Sequence, residues 1–283
     1  MDRDNVLRAL IFNNQVSLTL ADTTEIVAEG IARHTLASTS AVVFGKAISA
    51  MTFASACLKM ETGEISLSVQ TEECGDIGIS GNQKLFMRGY IENTSLQCGT
   101  DLTAEERVFG CGSLTIIRDD GYNRPFVGSC AIPEKGGVDA AFEEYYKISE
   151  QLPTYLKTVV EFNDDGTLAF AGVAVLQPLP FADEDTLKKT KNVDLKELLS
   201  LVRLQGLAGA FSRFDGDRYA TNTKKAVYRC NCSRERLLGV LASVGEEQLR
   251  TIIREDGQVS VHCHYCNSDY IFTEEDADKL FAK

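Results

Sequence analysis

Two stretches near the C-terminus decide how this 283-residue chain is read: YRCNCSRER, Tyr228 to Arg236, and VSVHCHYCNSDYIF, Val259 to Phe272. The first holds a C-x-C, Cys230 and Cys232, and the second a C-x-x-C, Cys263 and Cys266. Val259 and Val261 alternate with polar residues before the second pair, and Tyr270 and Phe272 alternate after it. That period-2 pattern predicts a short hairpin with Cys263 and Cys266 at its bend. Two close thiol pairs joined by a folded segment supply the four soft ligands of a tetrahedral structural zinc. The expected ligand set is Cys230, Cys232, Cys263 and Cys266, with one Zn(2+) per chain. His262 and His264 alternate with Cys263 and are expected to point away from the metal. Without the metal, the same thiol pairs can close into two short disulfides. The site is therefore a structural staple or a redox switch.

Bulk properties narrow the class. The length allows one large core and a smaller domain. Hydrophobic residues make up 44% and charged residues 25%, ordinary for a soluble protein. The start, MDRDNVLRAL, is mixed in charge and unlike a secretion signal, and no apolar run is long enough to span a bilayer. A cytoplasmic location and no membrane partner are expected. The formal net charge of −12 repels a phosphate backbone, so no nucleic-acid partner is expected. From Ala226 to Lys283 ten acidic residues face seven basic ones. A zinc-ribbon nucleic-acid adaptor using Arg229, Arg234, Arg236, Arg250 and Arg254 is accordingly an alternative only. Five further cysteines, Cys57, Cys74, Cys98, Cys111 and Cys130, are widely and irregularly spaced. They read as core residues or free thiols of a reducing compartment.

Enzyme chemistry finds little support. Histidine occurs only as His34, His262 and His264, and no G-x-S-x-G appears. The glycines between Gly75 and Gly112 do not match a dinucleotide-binding fingerprint and read as bulges and tight turns. Adjacent acids such as Glu105-Glu106 and Glu143-Glu144 read as solvated, and Lys46 and Lys59 as the wet edge of a helix. A thiol-disulfide oxidoreductase built on Cys263 and Cys266 is the enzyme alternative, but its reactive pair would open a helix, whereas this pair lies between strands. No enzyme is expected.

The order of elements predicts an α+β protein. Strands are expected around Val16–Leu20, Ile65–Val69, Phe86–Tyr90, Ser113–Ile117, Tyr122–Cys130, Leu156–Phe162 and Thr167–Leu176. Helices are expected behind an Asp22/Glu25 capping box, over Ser40–Leu58 and over Val138–Gln151. Residues 1–177 form the core domain. Residues 178–225 read as a helical linker, with Asp194 and Glu197 opening its main helix and Gly206 and Gly209 weakening it. Residues 226–283 read as a zinc-binding domain, with helices capped by Ser233 and by a Ser243/Glu246 box. It has few large apolar residues, so a metal would supply part of its folding energy.

C-x-C-S-R-E-R followed by C-x-x-C resembles the redox-switch domain of the bacterial redox-regulated holdase, the 33 kDa chaperonin family. Arg8-Ala9-Leu10, Thr23-Thr24, Arg33-His34, Arg88-Gly89-Tyr90, Pro125-Phe126-x-Gly128 and Ser149-Glu150-Gln151-Leu152-Pro153 resemble that family's core in the same order. The chain departs from the pattern at Lys46, Val173 and Pro180-Phe181. The resemblance implies an ATP-independent holdase whose clients are unfolding proteins under oxidative stress. It implies a zinc-bound, inactive reduced form, and an active form with Cys230–Cys232 and Cys263–Cys266 disulfides that dimerises.

Overall fold

Val6–Ile11 (β1) and Val16–Asp22 (β2) pair antiparallel, with Ile11 opposite Val16. They open a computed structural model that describes residues 4–59, 62–214 and 219–281. Helices α1 (Thr24–His34) and α2 (Ser38–Ala56) follow, then β3 (Glu64–Thr71), β4 (Gly75–Asn82) and β5 (Phe86–Ile91). Next come α3 (Leu102–Phe109), β6 (Gly112–Asp119), β7 (Phe126–Ala131), α4 (Gly137–Ser149) and the hairpin β8 (Tyr155–Phe162) and β9 (Leu168–Pro178). Helices α5 (Glu184–Lys191) and α6 (Leu195–Phe211), a 3-10 turn at Ser212–Phe214, and strands β10 (Tyr219–Lys224) and β11 (Val227–Tyr228) complete one compact unit, Met1–Arg229. Cys230–Lys283 is a second unit. The fold is α+β.

Two sheets organise the first unit. One has strand order β10-β1-β2-β9-β8 and the other β11-β5-β4-β3-β6-β7. Helix α2 packs against strands of both, and every residue from Thr39 to Ala56 is buried. Its Ala- and Ser-rich sequence allows that close approach on all sides. Alternation places Ala21, Val173 and Val175 in the core around α2. The opposite face of the same sheet presents Leu18, Leu20, Phe170, Ala174 and Leu176. Helix α6 covers that face with Leu198, Leu199, Val202 and Ala210.

Helix α6 starts cleanly and breaks late. Asp194 accepts hydrogen bonds from the backbone N–H groups of Lys196 (2.9 Å) and Glu197 (3.0 Å). Gly206, at φ 75° and ψ 177°, interrupts the helix, a conformation that costs glycine least. Asp194→Ala should destabilise the protein by about 1 kcal/mol. The check is a lower urea midpoint with an unchanged slope.

Several sequence expectations need correction. Lys46 is not at a wet edge. It is 8% exposed, and its Nζ lies 2.5 Å from Oε2 of Glu105, which is 1% exposed rather than solvated. Gly78 and Gly81 mark no bulge or turn but lie inside β4. A Cβ at Gly78 would come within 2.4 Å of the Tyr90 ring, and one at Gly81 within 2.2 Å of Ser55 Oγ. The Asp22/Glu25 box does not form, because Asp22 Oδ1 bonds to the N–H and hydroxyl of Thr24. Apart from these corrections, the stretch 178–225 read as a helical linker holds the strand β10 besides α5 and α6, and its described residues fall within the first unit. Residues 215–218 of that stretch, and 282–283 of the expected C-terminal domain, lie outside the described residues.

Candidate metal centre

The cysteine unit is built from two helices, a hairpin and a last helix: α7 (Arg234–Ala242), α8 (Glu246–Asp256), β12 (Val259–Cys263), β13 (Ser268–Phe272) and α9 (Glu274–Phe281). Ser233 Oγ caps α7 by accepting from the N–H of Arg236 at 3.2 Å. The residue after Ser233 closes the unit. Arg234 donates to the Ile271 carbonyl (2.8 Å) and to Asp276 (2.7 Å), and it stacks 4.7 Å over the Phe272 ring. Thus the S-R of the motif joins the start of α7 to the junction of β13 and α9. The Ser243/Glu246 box is replaced by Gly245 at the α8 N-cap, with no side-chain cap bond. Arg250 on α8 pairs with Glu246, Glu274 and Asp278, which holds α8 to α9. Leu241, Leu249, Ile253, Phe272 and Ala277 make the small core.

The hairpin forms as the alternation predicts, with Val259 opposite Phe272 and Cys263 opposite Ser268. At its bend the N–H of Cys266 donates to the Cys263 carbonyl at 3.3 Å. This tight turn brings the second thiol pair together, and the chain ahead of α7 delivers the first. The ligand atoms of Cys230, Cys232, Cys263 and Cys266 all lie within 4.8 Å of one another. Cys230 and Cys263 are 3.8 Å apart at sulfur, and Cys232 and Cys266 are 3.1 Å apart. Tetrahedral zinc–sulfur bonds of about 2.3 Å place sulfurs about 3.8 Å from one another. The group has the size and donor chemistry to hold one such ion.

Electrostatics explains why a cation suits this group. Burial raises the Cys263 and Cys266 thiols above their ordinary value, and the neighbouring Cys230 sulfur adds to the rise. Four thiolates this close repel one another unless a cation sits among them. Tyr270, whose hydroxyl lies 3.1 Å from Cys232 Sγ, also has a raised pKa because of that hydrogen bond. Sequence reasoning treated Tyr270 only as an alternating strand residue. Its position opposite Val261 on the hairpin is the signal that places it beside the sulfurs.

Among the described residues, the metal-binding group contains neither His262 nor His264. His262 Nδ1 instead pairs with Asp269 at 2.7 Å, and the two imidazole rings meet edge-on at 5.0 Å. The other five cysteines are elsewhere. Burial pushes Cys74 and Cys130 up to about 11 and raises Cys57, which favours the protonated thiol at all three. Cys98 and Cys111 are exposed. No helix among the described residues is long and apolar enough to cross a membrane.

Comparison with known proteins places this architecture. A family model described as Hsp33 protein matches residues 4–273. The 33 kDa chaperonin of Bacillus licheniformis is 31% identical over 288 residues, covering 98% of each chain. That of Bacillus mycoides is 31% identical over 294 residues, covering 99% of each. The crystal structure of the 33 kDa chaperonin, a heat shock protein 33 homolog, from Thermotoga maritima aligns with a TM-score of 0.81 at 22% identity. That alignment covers 98% of this chain and 97% of the other. With the cysteine spacing, the two-unit fold and the full-length match in agreement, the chain belongs to the Hsp33 family of chaperonins.

Proposed function

We propose that this protein is a redox-regulated, ATP-independent holdase. In this reading the reduced form binds one zinc through Cys230, Cys232, Cys263 and Cys266, and oxidation of these residues switches on binding of unfolding proteins. The cluster of four sulfurs within 4.8 Å carries the reading. Bound zinc would gather the four thiolates and supply folding energy that the small core of the unit lacks. Each pair of thiols that meets one peroxide molecule gives one disulfide and two waters. The thiols lose two electrons and two protons, and the O–O bond breaks. The family resemblance assigns the pairs as Cys230–Cys232 and Cys263–Cys266. After oxidation the donors are gone, and the unit no longer has its staple.

The first unit supplies a surface to expose. Leu198, Leu199 and Val202 of α6 each contribute on the order of 1.5–3 kcal/mol by burial, against a helix broken at Gly206. Release of α6 would bare Leu18, Leu20, Phe170 and Leu176. An apolar face of this kind binds unfolded chains with little sequence preference. We further assign a cytoplasmic location, dimerisation of the oxidised form, no catalytic role and no nucleic-acid partner. In support of the last, Arg234 and Arg250 are engaged within their own unit.

The test is light scattering from a heat-unfolding client with reduced, oxidised and re-reduced protein at matched concentration. Suppression is expected from the oxidised sample alone, reversed by reductant with zinc. Equal suppression by both forms would leave a chaperone without a redox switch. Suppression by neither would defeat the proposal.

A further inference from the structure

One continuous segment, residues 219–229, covers an edge of each sheet in the first unit. Strand β10 runs antiparallel to β1, with Lys224 opposite Val6 and Thr223 opposite Leu7. Strand β11 runs parallel to β5, with Val227 opposite Phe86 and Tyr228 opposite Met87. The hold is largely through main chain. Asn5 N–H donates to the Lys224 carbonyl (3.1 Å), Val227 N–H to the Leu85 carbonyl (3.0 Å) and Arg229 N–H to the Met87 carbonyl (2.7 Å). The Asn5 amide grips the Ala226 backbone from both sides, donating at 3.0 Å and accepting at 2.7 Å. Tyr228 Oη takes the place of the next strand residue. It donates to the Gly89 carbonyl at 2.9 Å and receives the Gly89 N–H at 3.4 Å.

Beneath this strap the two strands have the composition of interior strands. β1 reads VLRALI and β5 reads FMRGYI, each with one arginine and no proline. Protected edges carry more charge, proline or bulges. The outer edges opposite the strap differ from each other: β8 carries Lys157 and Glu161, whereas β7 reads FVGSCA and carries no charge. If the strap lifted, β1 and β5 would become two adhesive edges. The strap reaches Cys230 through a single peptide bond, so loss of fold in the cysteine unit removes its C-terminal tether.

We propose that residues 219–229 occupy the place of a client, and that β1 and β5 are docking edges for extended segments of unfolded proteins, which add as extra strands. The inference rests on the chaperone reading above and gives it a recognition mode: backbone hydrogen bonding, indifferent to client sequence. The strap meets β1 antiparallel and β5 parallel, and a client adds to each edge in the direction that edge now holds. Both edges already carry an extended polypeptide held through its main chain, and an unfolded client offers the same groups.

The experiment is amide hydrogen exchange on the full chain at residues 6–11 and 86–91. The samples are reduced, peroxide-oxidised, and oxidised with reduced carboxymethylated lactalbumin as a permanently unfolded probe. Anisotropy of the labelled probe reports binding separately. Oxidation should speed exchange at both edges, and saturating probe should slow it again by about tenfold. In the reduced protein, Tyr228→Phe should speed exchange of the Gly89 amide roughly fivefold. Probe binding with unchanged exchange at both edges would overturn the docking mode and leave the chaperone reading standing. Failure of the probe to bind would overturn both. Protection that rises with protein concentration alone would assign the edges to a second copy and overturn the proposal. An unchanged Gly89 amide in Tyr228→Phe would overturn the clasp on which it is built.

Discussion

Cys266→Ser is expected to lose most of its bound zinc and the fold of residues 230–281 with it. Cys266 is the most buried of the four cysteines at 6% exposure, and its Sγ lies 3.1 Å from that of Cys232. Serine offers no thiolate, and three donors leave one tetrahedral position open. Structural zinc in small domains is worth roughly 10–16 kcal/mol in apparent folding energy. Five buried residues, Leu241, Leu249, Ile253, Phe272 and Ala277, do not replace that. Metal analysis of reduced protein should fall well below one equivalent, and amides of α8 and β12 should exchange as in an unfolded chain. The thermal transition of the first unit should remain. Cys57→Ser, outside the cluster, should keep its zinc. Full metal retention in Cys266→Ser would contradict the assignment of ligands.

Lys46→Met should be the costliest change away from the cysteines. The substitution keeps an unbranched stem but leaves the Glu105 carboxylate buried without its cation, for about 3–5 kcal/mol. Glu105 also accepts the Val138 N–H at 2.8 Å, so its position is fixed and it cannot turn to water. Lys46→Met with Glu105→Gln should recover most of the loss, because glutamine still accepts that N–H without a charge. The pH dependence identifies the cause. Burial raises the Glu105 carboxyl above the usual carboxylate range, although Lys46 pulls it down. Removing Lys46 raises it further. A group raised in the folded state favours folding below its unfolded pKa, and that contribution is lost as pH climbs through the raised value. The penalty of Lys46→Met should therefore be smaller at pH 5 than at pH 8, read as urea midpoints. A pH-independent penalty would point to packing.

These residues also show where sequence reading works. Cys230, Cys232, Cys263 and Cys266 lie in two short spacings that carry their own geometry, so the cluster was legible before any fold was known. Strands such as β3 and β9 were legible because apolar residues alternate. Lys46 and Glu105 are 59 positions apart. Nothing local to either reveals that helix α2 is buried on every side and must supply its lysine with a partner from α3. Gly78 is illegible for a related reason: it leaves space for Tyr90, a cross-strand fact that no propensity contains. Strand β10 is polar by sequence and is extended because β1 lies beside it. The Arg250 triad and the Tyr270 contact likewise depend on elements that meet only after folding.

The grip of Asn5 on Ala226 spans 221 positions of sequence. On a ribosome that distance is time. Chains grow at about 5–20 residues per second, so β1 emerges roughly 10–40 s before the segment that will cover it. Contacts of this separation form last. During every round of synthesis the first two sheets must therefore fold with their adhesive margins bare, next to other nascent chains. Newly made copies are most exposed to mispairing in that interval, and a truncated transcript ending before residue 219 would never leave it.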